Sequence, residues 1–354
     1  MKIFQCGSCK NSVFFENYKC HNCDHVLGFR DKDLKMVTFK PNTNLLISER
    51  EQIEYKYCKN KDYNVCNWVI QKNDPEEYCS ACQLNRTIPN LSDTDNFTNW
   101  KQLEIAKHRL IYQLRKIGLP LPSKMKVKEG FCFDFVAQQD NPSLMTGHAN
   151  GVITILIREA DSVLREKMRK QFLEPYRTLV GHLRHEVGHY FWDRLVLTNT
   201  DILEEFRTIF GDERLDYGEA LQTYYKEGAP LDKRETFITR YATSHPWEDW
   251  AETWAHYLHI MDMVETAYFF GVNVKPVLKK KRVRRDMKTK VTYDPYTIED
   301  FDVIIKTCVP LSFAVNSINR AMGIPDVYPF VISPAVIVKL KFIHRLLLHK
   351  RKKN

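Results

Sequence analysis

Eight of the ten cysteines lie within the first 82 residues, and the first four form two C-x-x-C knuckles, Cys6-Gly7-Ser8-Cys9 and Cys20-His21-Asn22-Cys23. Two such knuckles ten residues apart each present a pair of thiolates, which suits one tetrahedral ion. The intervening Ser12-Val13-Phe14-Phe15 reads as a short strand. A segment this short has too little apolar surface for a core, so the ion would supply most of its folding free energy. Zinc is the expected metal, with iron in a rubredoxin-like site as the alternative. A second set, Cys58, Cys66, Cys79 and Cys82, repeats the theme with a less regular first pair and predicts a second structural zinc. Cys132 and Cys308 sit in apolar surroundings and read as core.

The absence of an h-region at the N-terminus and this metal-type cysteine spacing predict an intracellular, cytoplasmic chain. No transmembrane segment is expected: the longest apolar stretch near the C-terminus, Phe330 to Val338, is about half a span and contains Pro334. The formal charge is +9, but residues 275–290 hold nine Lys and Arg against Asp286, and the last sixteen residues hold seven more with no acid. The rest of the chain is therefore net acidic, and the alkaline balance belongs to two segments only.

Residues 84–98 are polar and read as a linker. A helix is predicted at about 99–117, with Leu103, Leu110, Leu114 and Ile117 on one stripe before Gly118. Strands are expected over Gly130–Ala137 and Gly151–Ile157, the second a candidate sheet edge for pairing with an extended peptide. Helices follow: one from Pro175 to about Leu197, then Asp201–Phe210 capped by Gly211, about 213–226, and Pro246–Phe270.

The chemistry sits in the first of these helices, in His185-Glu186-Val187-Gly188-His189. On a helix, positions i and i+4 share a face, so both imidazoles reach one Zn²⁺. Glu186 then points beside the metal, where it can act as general base toward a zinc-activated water. Gly188 permits a close neighbour. Trp192 stands where the metzincin pattern requires Gly, so the third ligand must come from elsewhere. The best source is 245–254, in which Trp247, Trp250 and Trp254 are expected to form a core stripe. Glu248 is the leading ligand and Glu252 its supporting partner behind an imidazole, with Glu252 or Asp249 as alternative ligands. His182 and Asp193 could support the site from the same helix. Tyr224, Tyr225, Tyr241 and His245 are unranked candidates for an electrophile that stabilises a tetrahedral species.

The order of the cysteine modules, Asn85-Arg86-Thr87-Ile88-Pro89, Arg184 to Tyr190, His245 to Asp249, Tyr328-Pro329-Phe330 and Ser333-Pro334-Ala335 resembles the zinc-binding metallopeptidases with an N-terminal zinc ribbon. The resemblance implies an α+β chain with a mainly helical zincin-like domain and small β sheet, of gluzincin type, with Glu248 carried over as third ligand. It divides the chain into a Cys₄ ribbon (1–30), a second Cys₄ module (31–92), a metallopeptidase domain (98–338) with a basic insertion at 275–290, and a basic tail (339–354). One catalytic and two structural zinc ions are expected, with a peptide or protein as substrate. Both knuckles depart from the usual pattern, carrying Lys10 and Asp24 where Gly often follows the second Cys. The competing expectation is a non-hydrolytic protein that binds nucleic acid or an acidic partner through the basic segments. The lack of interleaved aromatics in 279–290 argues against a single-strand platform.

Overall fold

A computed structural model describes residues 2–41, 45–137, 144–171, 178–230 and 235–351. The fold is α+β, and by internal packing it divides into two compact units, Met1–Asp161 and Ser162–Asn354.

In the first unit, β1 (Phe4–Gln5) pairs antiparallel with β2 (Ser12–Val13), and β3 (Val26–Arg30) forms a hairpin with β4 (Lys35–Phe39). Lys10 and Asp24 take left-handed backbone with φ of 63° and 54°, which explains the usual preference for Gly there. Their amides close the knuckle turns on the carbonyls of Cys6 and Cys20. Next come β5 (Leu46–Ile47), β6 (Glu54–Tyr57) and β7 (Val69–Gln71) in one antiparallel sheet. Phe15, Phe29, Trp68 and Tyr112 pack edge-on and tilted at the centre, with ring centroids 4.7–6.2 Å apart.

Residues 84–98 are not a linker. Asn85–Thr87 form β8, and after a short turn α1 (Thr94–Ile117) begins, with Asp93 capping the amides of Asp95 and Asn96. The polar side chains that suggested a loop are engaged: Arg86 grips Asp134 with two donors. The expected stripe Leu103, Leu110, Leu114 and Ile117 is fully buried. β9 (Cys132–Val136), β10 (Gly147–Ala149) and β11 (Val152–Leu156) complete a sheet of order β10-β11-β9-β8. β11 is thus an interior strand, parallel to β9 on one side and antiparallel to β10 on the other. Of the two readings open for this strand, peptide-pairing sheet edge or plain core strand, the structure gives the core strand, and the short β10 takes the edge.

The second unit is helical: α2 (Ser162–Gln171), α3 (Leu179–Leu195), α4 (Thr200–Phe210), α5 (Tyr217–Glu227) and α6 (Pro246–Phe269). The expected start at Pro175 lies outside the described residues; the observed α3 is capped by Thr178 on the amide of Gly181. The basic insertion is an exposed short helix, α7 (Lys281–Asp286), between paired strands β12 (Asn273–Val274) and β13 (Thr289–Lys290). α8 (Phe301–Ala321) and α9 (Pro334–Arg351) close the unit. Among the described residues, α8 is the one helix long and apolar enough to cross a membrane by length and composition; its Ile304, Ile305, Cys308 and Leu311 are buried within the unit. Cys132 and Cys308 are buried as expected, and burial pushes the Cys308 thiol up to about 12.

α6 is the spine of this unit. Trp250, Trp254, Leu258 and Met261 are wholly buried along one stripe. Asp249, on the α9 side, accepts from the Lys339 ammonium at 2.6 Å, and that ammonium also donates to the Thr236 carbonyl and lies 4.0 Å from the Phe237 ring centroid. Breaking a buried pair leaves an uncompensated charge. Lys339→Met should therefore destabilise the protein by about 3–5 kcal/mol, read as a lower urea midpoint with unchanged slope.

Candidate metal centres

The centre in the second unit is set by how closely α3 and α6 cross. A Cβ at Gly188 would stand 3.0 Å from Trp254 Cδ1 and 3.3 Å from Ala251 Cα. The Trp250 indole donates to the Gly188 carbonyl at 2.8 Å, tying the helices at that point. This brings the His185 and His189 face of α3 over the first turns of α6. Trp247 is not part of the core stripe. It is half-buried and its ring lies against the His189 imidazole, centroids 3.8 Å apart.

His185 Nε2 and His189 Nε2 are 3.2 Å apart; Glu248 Oε2 is 2.9 Å from the first and Glu248 Oε1 3.5 Å from the second. A tetrahedral zinc with bonds of about 2.0–2.1 Å holds its donor atoms roughly 3.3 Å apart, so the three groups fit one ion. The remaining contacts support that fit. His185 Nδ1 is 2.6 Å from Glu252 Oε1. A carboxylate oxygen accepts, so Nδ1 carries the hydrogen and Nε2 is left as the donor nitrogen. Glu248 Oε1 accepts the Tyr217 hydroxyl at 2.7 Å, while Oε2 is buried and faces His185 Nε2. Burial alone would raise the pKa of Glu248, but His189 and His185 outweigh it and hold the carboxylate well below its ordinary range.

Glu186 is buried beside this cluster, with Oε1 3.1 Å from His182 Nε2. Its burial is likewise outweighed, by that hydrogen bond and by His185, so it stays ionised. Asp249, an alternative ligand on sequence grounds, is turned to Lys339 instead. Among the electrophile candidates, His245 is occupied as N-cap of α6, accepting from the Trp247 amide. Tyr225 is exposed, and Tyr224 packs on Tyr241. The Tyr241 ring is 6.0 Å from the His185 ring, and burial followed by Glu248 raises its pKa, keeping the hydroxyl protonated. Burial raises the pKa of Asp193, against the opposing pull of His189. Tyr217 was not singled out in the sequence: it enters from the first turn of α5, and nothing in its spacing links it to Glu248. Behind the cluster, Tyr328 is clamped by Asn316 through both backbone groups and meets His256 Nδ1 at 3.0 Å, while Phe330 packs on the same imidazole.

The first unit gathers both cysteine sets. Cys6–Cys23 and Cys9–Cys20 sulfurs are 3.7 and 3.5 Å apart, and Cys66–Cys79 sulfurs 3.7 Å. Zinc–sulfur bonds of about 2.3 Å in a tetrahedron set sulfurs about 3.8 Å apart. Each set is therefore shaped for one ion. The second is wholly buried, whereas Cys9 and Cys23 of the first reach solvent.

Residues 96–346 match the family described as "Putative zinc-binding metallo-peptidase", and residues 3–93 match a zinc-ribbon domain. The chain is 36% identical over 347 residues to "Uncharacterized protein Rv2568c" of Mycobacterium tuberculosis (strain H37Rv) and to "Uncharacterized protein Mb2598c" of Mycobacterium bovis, covering 97% of this chain and 94% of each relative. No solved structure matches it significantly.

Because a Cβ at Gly188 would crowd Trp254 and the Ala251 backbone, Gly188→Ala should push α3 and α6 apart by a few tenths of an ångström. We expect a loss of about 1–3 kcal/mol, seen as a lower melting temperature, together with weaker metal retention at His185 and His189.

Proposed function

We propose, from the premise that this chain belongs to the zinc-binding metallo-peptidase family, that it hydrolyses peptide bonds at the α3–α6 centre. His185, His189 and Glu248 would hold one catalytic zinc, and the two cysteine sets one structural zinc each. The observation that carries the reading is the convergence of His185 Nε2, His189 Nε2 and the buried Glu248 carboxylate within reach of one ion, next to an ionised Glu186. A ligand glutamate from a later helix makes the centre gluzincin-like.

Zinc there would supply Lewis-acid polarisation of the scissile carbonyl and acidify the attacking water. The chain's own residues do the rest. Glu186 takes a proton from that water and hands it to the departing amine, its carboxylate anchored through Oε1 by His182. Glu252 fixes the ring and tautomer of His185, and Tyr217 fixes Glu248. Tyr241, protonated and next to His185, is the proposed donor to the carbonyl oxygen as it gains charge. The substrate is a peptide or protein and the setting cytoplasmic, a reading supported by eight cysteines grouped as metal sites.

Glu186→Gln should keep its zinc and lose turnover of a peptide library by about 10²–10⁴-fold. Full turnover by the metal-loaded variant would remove Glu186 from this role. Glu252→Gln should lower zinc affinity by about 10–100-fold in a chelator competition, because Gln cannot accept as strongly from His185.

A further inference from the structure

The basic insertion, residues 275–290, contributes no residue to the α3–α6 centre. Its base is fixed: β12 and β13 pair Asn273 with Lys290 and Val274 with Thr289, and the Val291 amide donates to the Val272 carbonyl at 3.3 Å. Thr289 and Val291 are buried, whereas the stretch from Val277 to Asp286, including α7, stands out in water. All nine Lys and Arg side chains of the insertion are exposed, against a single acid, Asp286. Among the described residues, the one ion pair they make is Arg285 with Asp286 at 3.5 Å, itself open to solvent.

Aliphatic side chains are set among these cations. Val277 is 101% exposed, and Leu278 and Val283, which flank the run Lys279 to Arg282, are exposed as well. Charge alone would suit any polyanion, and the aliphatic groups narrow the choice. A phosphodiester backbone has no apolar surface to receive them, and the insertion has no aromatic ring to stack on a base. A lipid interface supplies both partners, anionic headgroups above and acyl chains beneath. We propose that this hairpin docks the helical unit on an anionic lipid surface. Its cations lie among the headgroups, and Val277, Leu278 and Val283 enter the apolar edge below them. Apart from the insertion and the C-terminal end the chain is net acidic, so the same surface repels the rest and orients the approach. Nothing in this inference depends on what the α3–α6 centre does.

The test sediments the full zinc-loaded chain with phosphatidylcholine vesicles made with and without phosphatidylserine. Binding should require phosphatidylserine and weaken as salt is raised. Lys279→Gln/Lys280→Gln/Lys281→Gln should weaken it about a hundredfold. Val277→Asn/Leu278→Asn keeps every charge and should still weaken it about tenfold. Val277→Trp should be quenched by bromine-labelled acyl chains beyond the wild-type signal. These positions are exposed, so each variant should keep the wild-type melting temperature, which separates lost binding from lost fold. No binding to phosphatidylserine vesicles overturns the proposal, and so does binding unmoved by Val277→Asn/Leu278→Asn. Duplex DNA that displaces the chain from vesicles and binds that apolar variant as tightly as wild type reassigns the surface to nucleic acid. Vesicle binding that survives the triple Gln variant but is lost in Lys350→Gln/Arg351→Gln/Lys352→Gln/Lys353→Gln moves it to the C-terminal end and overturns it equally.

Discussion

The contact between Gly188 on α3 and Trp254 and Ala251 on α6 decides what the second unit can do. Side chains of ordinary size hold helix axes 8–10 Å apart. A glycine at the crossing lets α6 come near enough for the short reach of a glutamate to meet imidazoles rooted on α3. The Trp250 indole bonded to the Gly188 carbonyl fixes the depth of that approach, and the stacked Phe191 and Trp254 rings fix its angle. The chemistry at His185 and His189 is thus set by packing one turn below it, on the apolar side of both helices.

The helical phase of α6 sorts its acids. Glu248 and Glu252 are four residues apart, about 40° around the axis at 3.6 residues per turn, so both meet α3. Glu248 reaches the face shared by the two Nε2 atoms, and Glu252 the Nδ1 edge of His185. Asp249 is turned about 100° away, toward α9, where Lys339 meets it. These are three carboxylates with three different duties, and their separation follows from which neighbour lies on which side of one cylinder.

That sorting marks how far the sequence could be read. The pair at i and i+4, the Glu between them and a tryptophan-striped helix with acids at its start were all visible in residue order, because each is local to one helix. The same holds for the cysteine knuckles and for the buried stripe of α1. What residue order did not carry was the arrival of groups through chain reversal. Tyr217 comes from the first turn of α5, and Trp247 leaves the core stripe to cover His189, a choice that depends on where α3 passes. Residues 84–98 looked like linker because the stretch is polar and holds Pro89, Asn90 and Ser92, but Arg86 is held by Asp134, 48 residues away. The strand Val152–Leu156 was visible as a strand, while its interior place in the sheet depended on a three-residue partner too short to read.

Charge balance gives the deepest reason for a divalent ion at the α3–α6 crossing. Glu186, Glu248 and Glu252 are ionised within one small volume, little of it open to water. Two other acids of the unit are matched by cations: Asp249 by Lys339, and Asp262 by Arg184 at 2.8 Å. Among the described residues His182, His185, His189 and His256 act on the three glutamates, yet protonated Nε2 atoms 3.2 Å apart on His185 and His189 would repel each other. A dication between them lets both imidazoles stay neutral and still balances two carboxylates, leaving one negative charge. That charge sits on Glu186, hydrogen-bonded to His182 and beside the three donors rather than among them. The electrostatics that would favour metal binding there would therefore also leave an ionised carboxylate beside the ion, as the proposed general base requires.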